Sequence, residues 1–313
     1  MNDYELAVLT QWVKQDEQMP PIAFRVAKGL SGNVGRLMGL LQWSAGSRQS
    51  RLVKRMKSIT REAIIRTLEQ AATASQFEKV EGVLKRMGSS AETASDIRML
   101  PLQTKDEVCR TLARSQKVTV TAEGAIAGFA TSLCEVIPGL QGLVLPCVIA
   151  DLSATIYLMA QHAIQTGYSY GFNLYNPEDI PHFLFAMAPS TDDAGLVEAK
   201  LSAHLAMRES GLVLAKTMGE HLSVRMLSNT PAMTKLIDLI AYRIVTVLAE
   251  KETSILIPFA GAVIQGAINA AFAEVSYVRS VRYFQRLHMI DRYGEEYLNT
   301  ALTSVKEGRR ATA

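Results

Sequence analysis

The chain has 313 residues, 33 basic and 30 acidic side chains and a formal charge of +3. That length suits one large or two medium domains, and the net charge is too small to imply nucleic-acid binding, which needs basic groups gathered on one face. Hydrophobic residues make up 48% and charged residues 20%, and the mean hydropathy of +0.10 excludes extended disorder and leans toward an apolar interior or a lipid-facing patch.

The opening Met1-Asn2-Asp3-Tyr4-Glu5 is acidic and has neither the basic nor the apolar region of a secretory signal. Cys109, Cys134 and Cys147 share no CxxC spacing, and the last two stand in apolar runs, so they read as buried thiols kept reduced. A cytoplasmic location is expected on both grounds. A first helix is predicted over residues 3–14, stopped by Pro20-Pro21, and a second over residues 22–43. From Gln49 to about Ala74, Leu52, Met56, Ile59, Ala63 and Ile64 recur at helical spacing, with Arg51, Lys54, Arg55 and Arg61 on the other face. Gly88-Ser89-Ser90 and the polar stretch to Asp96 read as a surface connection. This divides the chain into basic amphipathic helices over 1–89, an apolar helical core over 90–305 and a disordered tail over 306–313, although all of it can equally be one domain. Val118-Thr119-Val120-Thr121 alone alternates like a strand and is too short to build a sheet. The fold class is therefore all-α, a multi-helix globular bundle.

Further on, Asn176-Pro177-Glu178-Asp179 combines a capping residue, proline at the first helical position and acids that suit the helix dipole, and Thr230-Pro231 repeats the device. Two long apolar segments, residues 136–171 and 257–294, share a plan. Each opens with Ile-Pro (Ile137-Pro138, Ile257-Pro258), meets a glycine (Gly139, Gly261) and ends at Tyr-Gly (Tyr170-Gly171, Tyr293-Gly294). A polar residue stands at a comparable depth in each apolar run, Asp151 thirteen and Asn269 eleven residues after the proline. Either they form an internal repeat or they are two buried helices with the same start chemistry. Both readings put them in the core, packed against each other through small faces at Gly142, Gly261 and Gly266, with Gly124 and Gly128 serving the preceding helix.

The run Leu145-Pro146-Cys147-Val148-Ile149-Ala150-Asp151, the ending Gly167-Tyr168-Ser169-Tyr170-Gly171 with Asn176-Pro177-Glu178, and the run from Ile257-Pro258 through Gly261 and Gly266 to Asn269 resemble the EcsC family of bacterial proteins. The likeness extends to Tyr4-Glu5 and the Trp12 region. These are fold-forming positions, and none carries a catalytic role. The resemblance implies an all-α fold and a place near a membrane, because members are sometimes encoded beside the ATPase and permease of an ABC transporter.

Residues 18–61 contain no acid and nine cations: Arg25, Lys28, Arg36, Arg48, Arg51, Lys54, Arg55, Lys57 and Arg61. With Trp43 and other apolar groups nearby, the cluster Arg48, Arg51, Lys54, Arg55, Lys57 and Arg61 suits anionic lipid or an acidic partner, or else is a solvated helix face. The uncharged stretches 152–176 and 255–273 approach the length of a membrane span, yet Gln161, His162, Gln165, Gln265 and Asn269 and their abundant small residues suit buried helices better.

No metal site is expected: His162, His182, His204, His221 and His288 are dispersed, without HExxH. There is no phosphate-binding GxxxxGK[ST] and no GxSxG elbow, so neither a cofactor nor a nucleophile is indicated. Asp151, inside an apolar run, requires a partner. His162 is about 16 Å away along one helix, so Asn269 is the candidate and Arg243 the next. The functional expectation is a non-enzymatic, membrane-proximal accessory protein that meets anionic lipid or a membrane transporter complex. A carrier or sensor of a hydrophobic ligand, or an enzyme with an unfamiliar site near Asp151, are the alternatives.

Overall fold

Asn2 starts the first helix. Its side-chain oxygen accepts from the Glu5 amide at 2.9 Å while the Glu5 carboxylate accepts from the Asn2 amide at 2.8 Å, a reciprocal cap that satisfies donors a helix end leaves open. The computed structural model describes residues 1–17, 57–69, 76–114, 144–188, 202, 205, 229–252 and 261–312. In chain order the helices are α1 (Asp3–Glu17), α2 (57–69), α3 (Gln76–Arg86), α4 (Ala94–Met99), α5 (102–114) and α6 (Val144–Ser169). A 3-10 turn (Pro177–Asp179) then leads into α7 (Ile180–Ala186), α8 (Pro231–Glu252), α9 (Gly261–Tyr293) and α10 (Glu295–Thr312). No strand occurs among the described residues, so the all-α reading holds. Residues 118–121 lie outside them.

The described parts of the two apolar segments form α6 and α9, and these pack against each other as expected. α3 and α7 flank α6, α8 lies against α7, and α10 lies across α1 and α9. Aromatic rings fill the centre: Phe172 stands 5.0 Å from Phe284, which lies 5.3 Å from Tyr283, with Tyr168, Tyr170 and Phe183 around them. One apolar core takes in Leu9 and Trp12 of α1, Ile64 and Leu68 of α2 and Leu84 of α3 together with Ile97, Leu102, Ile164 and Ile240, so it runs across residue 89.

Both Tyr-Gly endings terminate their helices. Gly171 has φ 81°, and the Phe172 and Gly171 amides return to the Gly167 and Tyr168 carbonyls. Gly294 has φ 85°, and its amide reaches the Ile290 carbonyl at 2.8 Å. Asn176 caps the 3-10 turn as its sequence suggests, but Asp179 turns inward instead of facing the dipole. The tail expected to be disordered from Lys306 is corrected: α10 is helical to Thr312. Lys306, Glu307, Arg309 and Arg310 are good helix formers, and Leu298, Ala301, Leu302 and Val305, spaced at three and four residues, dock the helix on the core.

The glycines of the two endings differ in surroundings. A Cβ on Gly171 would stand 2.4 Å from the Ala94 carbonyl oxygen and 2.6 Å from the Arg98 amide nitrogen, whereas one on Gly294 meets open space. Gly171→Ala is expected to cost more than about 3 kcal/mol, because backbone has to move, and Gly294→Ala about 1 kcal/mol for the left-handed conformation alone. Urea unfolding of the two variants checks the order.

Candidate functional site

α5 carries Leu102, Lys105, Asp106 and Cys109 at spacings of three, four and seven, hence on one helix face. That face is turned into the protein, and Lys105 and Asp106 are 2% and 4% exposed between their apolar neighbours. Burying a charge costs several kcal/mol unless partners replace the lost water. Asp106 finds three donors. Tyr170 donates to one carboxylate oxygen, and Tyr4 at 2.7 Å and the Gln285 amide nitrogen at 2.8 Å donate to the other. An acceptor of three hydrogen bonds behaves as a carboxylate, and the charge orients the Gln285 amide so that its oxygen faces the Trp12 indole N–H at 2.9 Å. Arg110 donates to the Tyr4 hydroxyl at 2.9 Å. Burial raises the Asp106 pKa, and the hydrogen bonds from Tyr170, Tyr4 and Gln285 oppose that rise. The Tyr4 and Tyr170 hydroxyls are pushed well above the ordinary tyrosine range, first by burial and then by the carboxylate.

The Lys105 amine donates to the Arg98 carbonyl at 2.7 Å and lies 3.0 Å from His288 Nδ1. Burial pulls it down to about 8. A protonated amine only donates, so Nδ1 accepts and the His288 proton sits on Nε2. Burial, with the Lys105 charge second, holds His288 at about 4. His288 Nε2 and Glu5 Oε1 are both buried and have no hydrogen-bond partner among the described residues. The other Glu5 oxygen accepts from the Tyr293 hydroxyl at 2.7 Å. At the rim, Arg98 donates to Asp179 at 2.7 Å and to the Gly171 carbonyl at 3.1 Å, with its guanidinium 4.5 Å above the Phe172 ring. The other Asp179 oxygen accepts from the Asn173 amide at 2.9 Å.

This network fastens α1, α5, the end of α6 and α9 to one another. The Lys105 amine is spent on Arg98 and His288, so the group serves as a structural cation. The Cys109 thiol beside it is pushed far up by burial and is inert as a nucleophile.

Of the basic cluster, Lys57 and Arg61 are described, and both face Asp238 of α8, at 3.0 and 3.9 Å. Trp43, Arg48, Arg51, Lys54 and Arg55 lie outside the described residues, as do Gly124, Gly128, Gly139 and Gly142. Asp151 falls in α6, and Gly261, Gly266 and Asn269 in α9, but their side-chain surroundings lie outside the described residues, so the Asp151–Asn269 pair is not among the contacts seen. His162 is buried beside Tyr277, ring centroids 6.0 Å apart, next to a space of about 10 Å³ lined by Cys109, Ala113, Gln165 and Thr166. That is room for one water molecule. No three His, Cys, Asp or Glu groups converge at metal-binding distance among the described residues. No described helix is long and apolar enough to cross a membrane.

Together these features define an all-α protein organised around a buried ionic network. The chain belongs to the EcsC protein family, whose model matches residues 4–287. No curated protein and no solved structure matches it.

Two outcomes follow from the network. Asp106→Asn replaces an acceptor of three donors by a group that itself donates, and it is expected to lose about 2–4 kcal/mol in urea unfolding. His288, at about 4 when folded against 6.5 as a free side chain, contributes stability that is complete above pH 6.5 and is lost as pH falls toward 4. Relative to His288→Gln, the unmodified protein should lose on the order of 2 kcal/mol more between about pH 7 and about pH 4.5, measured by denaturant unfolding at both values.

Proposed function

We propose that the protein is a non-enzymatic accessory of the cytoplasmic membrane face, docking peripherally on anionic lipid through its basic segment. The observation that carries this is the acid-free run of residues 18–61 with its nine cations. The exposure pattern of α2 supports it. Thr60, Ile64, Thr67 and Leu68 are buried, while Ser58 and Arg66 are exposed. On the helix expected from the sequence over about 49–74, Arg51, Lys54 and Arg55 fall seven, four and three residues before Ser58, at spacings of one face. Cations near an anionic leaflet contribute about 1 kcal/mol each, so Arg48, Arg51, Lys54 and Arg55 supply about 4 kcal/mol, roughly a thousandfold in partitioning, before Trp43 adds apolar burial. Such attraction is screened by salt.

Flotation of the purified protein with phosphatidylglycerol-containing and purely phosphatidylcholine vesicles tests the proposal. Binding to the anionic vesicles alone, weakened by salt and lost in a variant with Arg48, Arg51, Lys54 and Arg55 changed to Gln, is the expected result. Equal flotation with both vesicle types, or none with either, contradicts it. Lipid that copurifies with a protein that does not float points to a carrier instead.

A further inference from the structure

Asp238 sits on α8 between two cations of α2, and each carboxylate oxygen faces one of them: Oδ2 lies 3.0 Å from the Lys57 amine and Oδ1 lies 3.9 Å from an Arg61 guanidinium nitrogen. All three side chains are about one-third exposed, at 36%, 34% and 34%. The backbones that present them are better held. Ile64 and Leu68 bury the following turns of α2, and Leu236, Ile237, Ile240 and Ala241 bury the face of α8 around Asp238. The result is a pair of cations four residues apart, fixed at the rim of the core, with one carboxylate seated between them. Asp238 supplies through space the acid that residues 18–61 lack in sequence. The next acid along the chain, Glu62, pairs with Arg66 at 2.8 Å.

We propose that Asp238 is an internal stand-in for a lipid phosphate: Lys57 and Arg61 form an anion site at the end of the basic segment, and the headgroup of an anionic lipid displaces Asp238 from it. This rests on the lipid-docking function proposed above and adds its regulation. A phosphodiester offers the same pair of equivalent oxygens as a carboxylate, and the partial exposure of the present pair makes exchange cheap, since exposed ion pairs contribute at most about 1 kcal/mol. While Asp238 is in place it offsets one of the two positive charges, and the segment's pull toward the membrane is reduced. When a headgroup takes its place, both cations join the contact.

The test is vesicle binding by Asp238→Asn, alone and combined with Lys57→Gln and Arg61→Gln, on vesicles of phosphatidylglycerol and phosphatidylcholine. Asp238→Asn should reach half-binding at about fivefold lower lipid than the unmodified protein, the equivalent of one freed cation, and this gain should vanish when Lys57 and Arg61 are also changed. Circular-dichroism melting of each variant confirms that it is folded. Inorganic phosphate and chloride at equal ionic strength should weaken binding alike. Binding by the unmodified protein that Asp238→Asn does not improve overturns this inference and leaves the lipid-docking function standing, as does an improvement that persists without Lys57 and Arg61. Failure of both proteins to bind overturns both proposals. Inhibition by phosphate well beyond that by chloride overturns the lipid assignment in favour of a free phosphate ligand.

Discussion

Lys105 and Asp106 are neighbours in the chain, carry opposite charges, and are both taken out of water. The rest of the molecule is arranged to make that tolerable. Asp106 draws donors from α1, from the end of α6 and from α9, and Lys105 reaches the Arg98 carbonyl in the last turn of α4 and the His288 ring of α9. A buried ion whose partner is removed costs far more than the pair contributes, so the network acts chiefly as a register device. It admits only the packing in which Tyr4, Tyr170, Gln285 and Lys105 all meet their partners, and an apolar core alone would tolerate shifts of these helices by a turn.

The apolar scaffold and the network have different jobs. α6 and α9 supply the long packed spine, and the aromatic cluster of Phe172, Phe183, Tyr283 and Phe284 locks α7 and the loop after α6 onto it. α1 is short and buries only Val8, Leu9, Trp12 and Val13 as apolar groups, so its attachment depends more on Tyr4, Glu5 and the Trp12 indole. This matters for the proposed function because the acid-free segment begins one residue after α1 and ends at Arg61 in α2. α1 and α2 lie on either side of residues 18–56 in the chain, and the Asp238 contact lies on the second of them.

Much of the scaffold was legible in the sequence because it is written in local patterns. Tyr170-Gly171 and Tyr293-Gly294 are stop signals, Asn176-Pro177 is a start signal, and the apolar runs of α6 and α9 mark the spine. The network was not legible, since its partners are up to 288 residues apart and Lys105-Asp106-Glu107 reads as an ordinary solvated charge run. A signal did exist: Lys105 and Asp106 share the helix face of Leu102 and Cys109, which places two charges on an apolar stripe. Arg61 stands opposite the apolar stripe in the sequence pattern, and only the tertiary structure brings Asp238 to it from α8. The tail was misread because a polar, charged ending suits either disorder or a helix, and the spacing of Leu298, Ala301, Leu302 and Val305 decides for the helix.

The central claim is that the buried charges make α1, α5 and α9 one cooperative unit. Native-state hydrogen exchange measures this directly. The amides of Val8 to Val13 in α1 and of Tyr283 to His288 in α9 should open with the same free energy and the same denaturant dependence, within about 1 kcal/mol. If α1 opens several kcal/mol more easily than α9, the network does not hold it, and the account is wrong at its base.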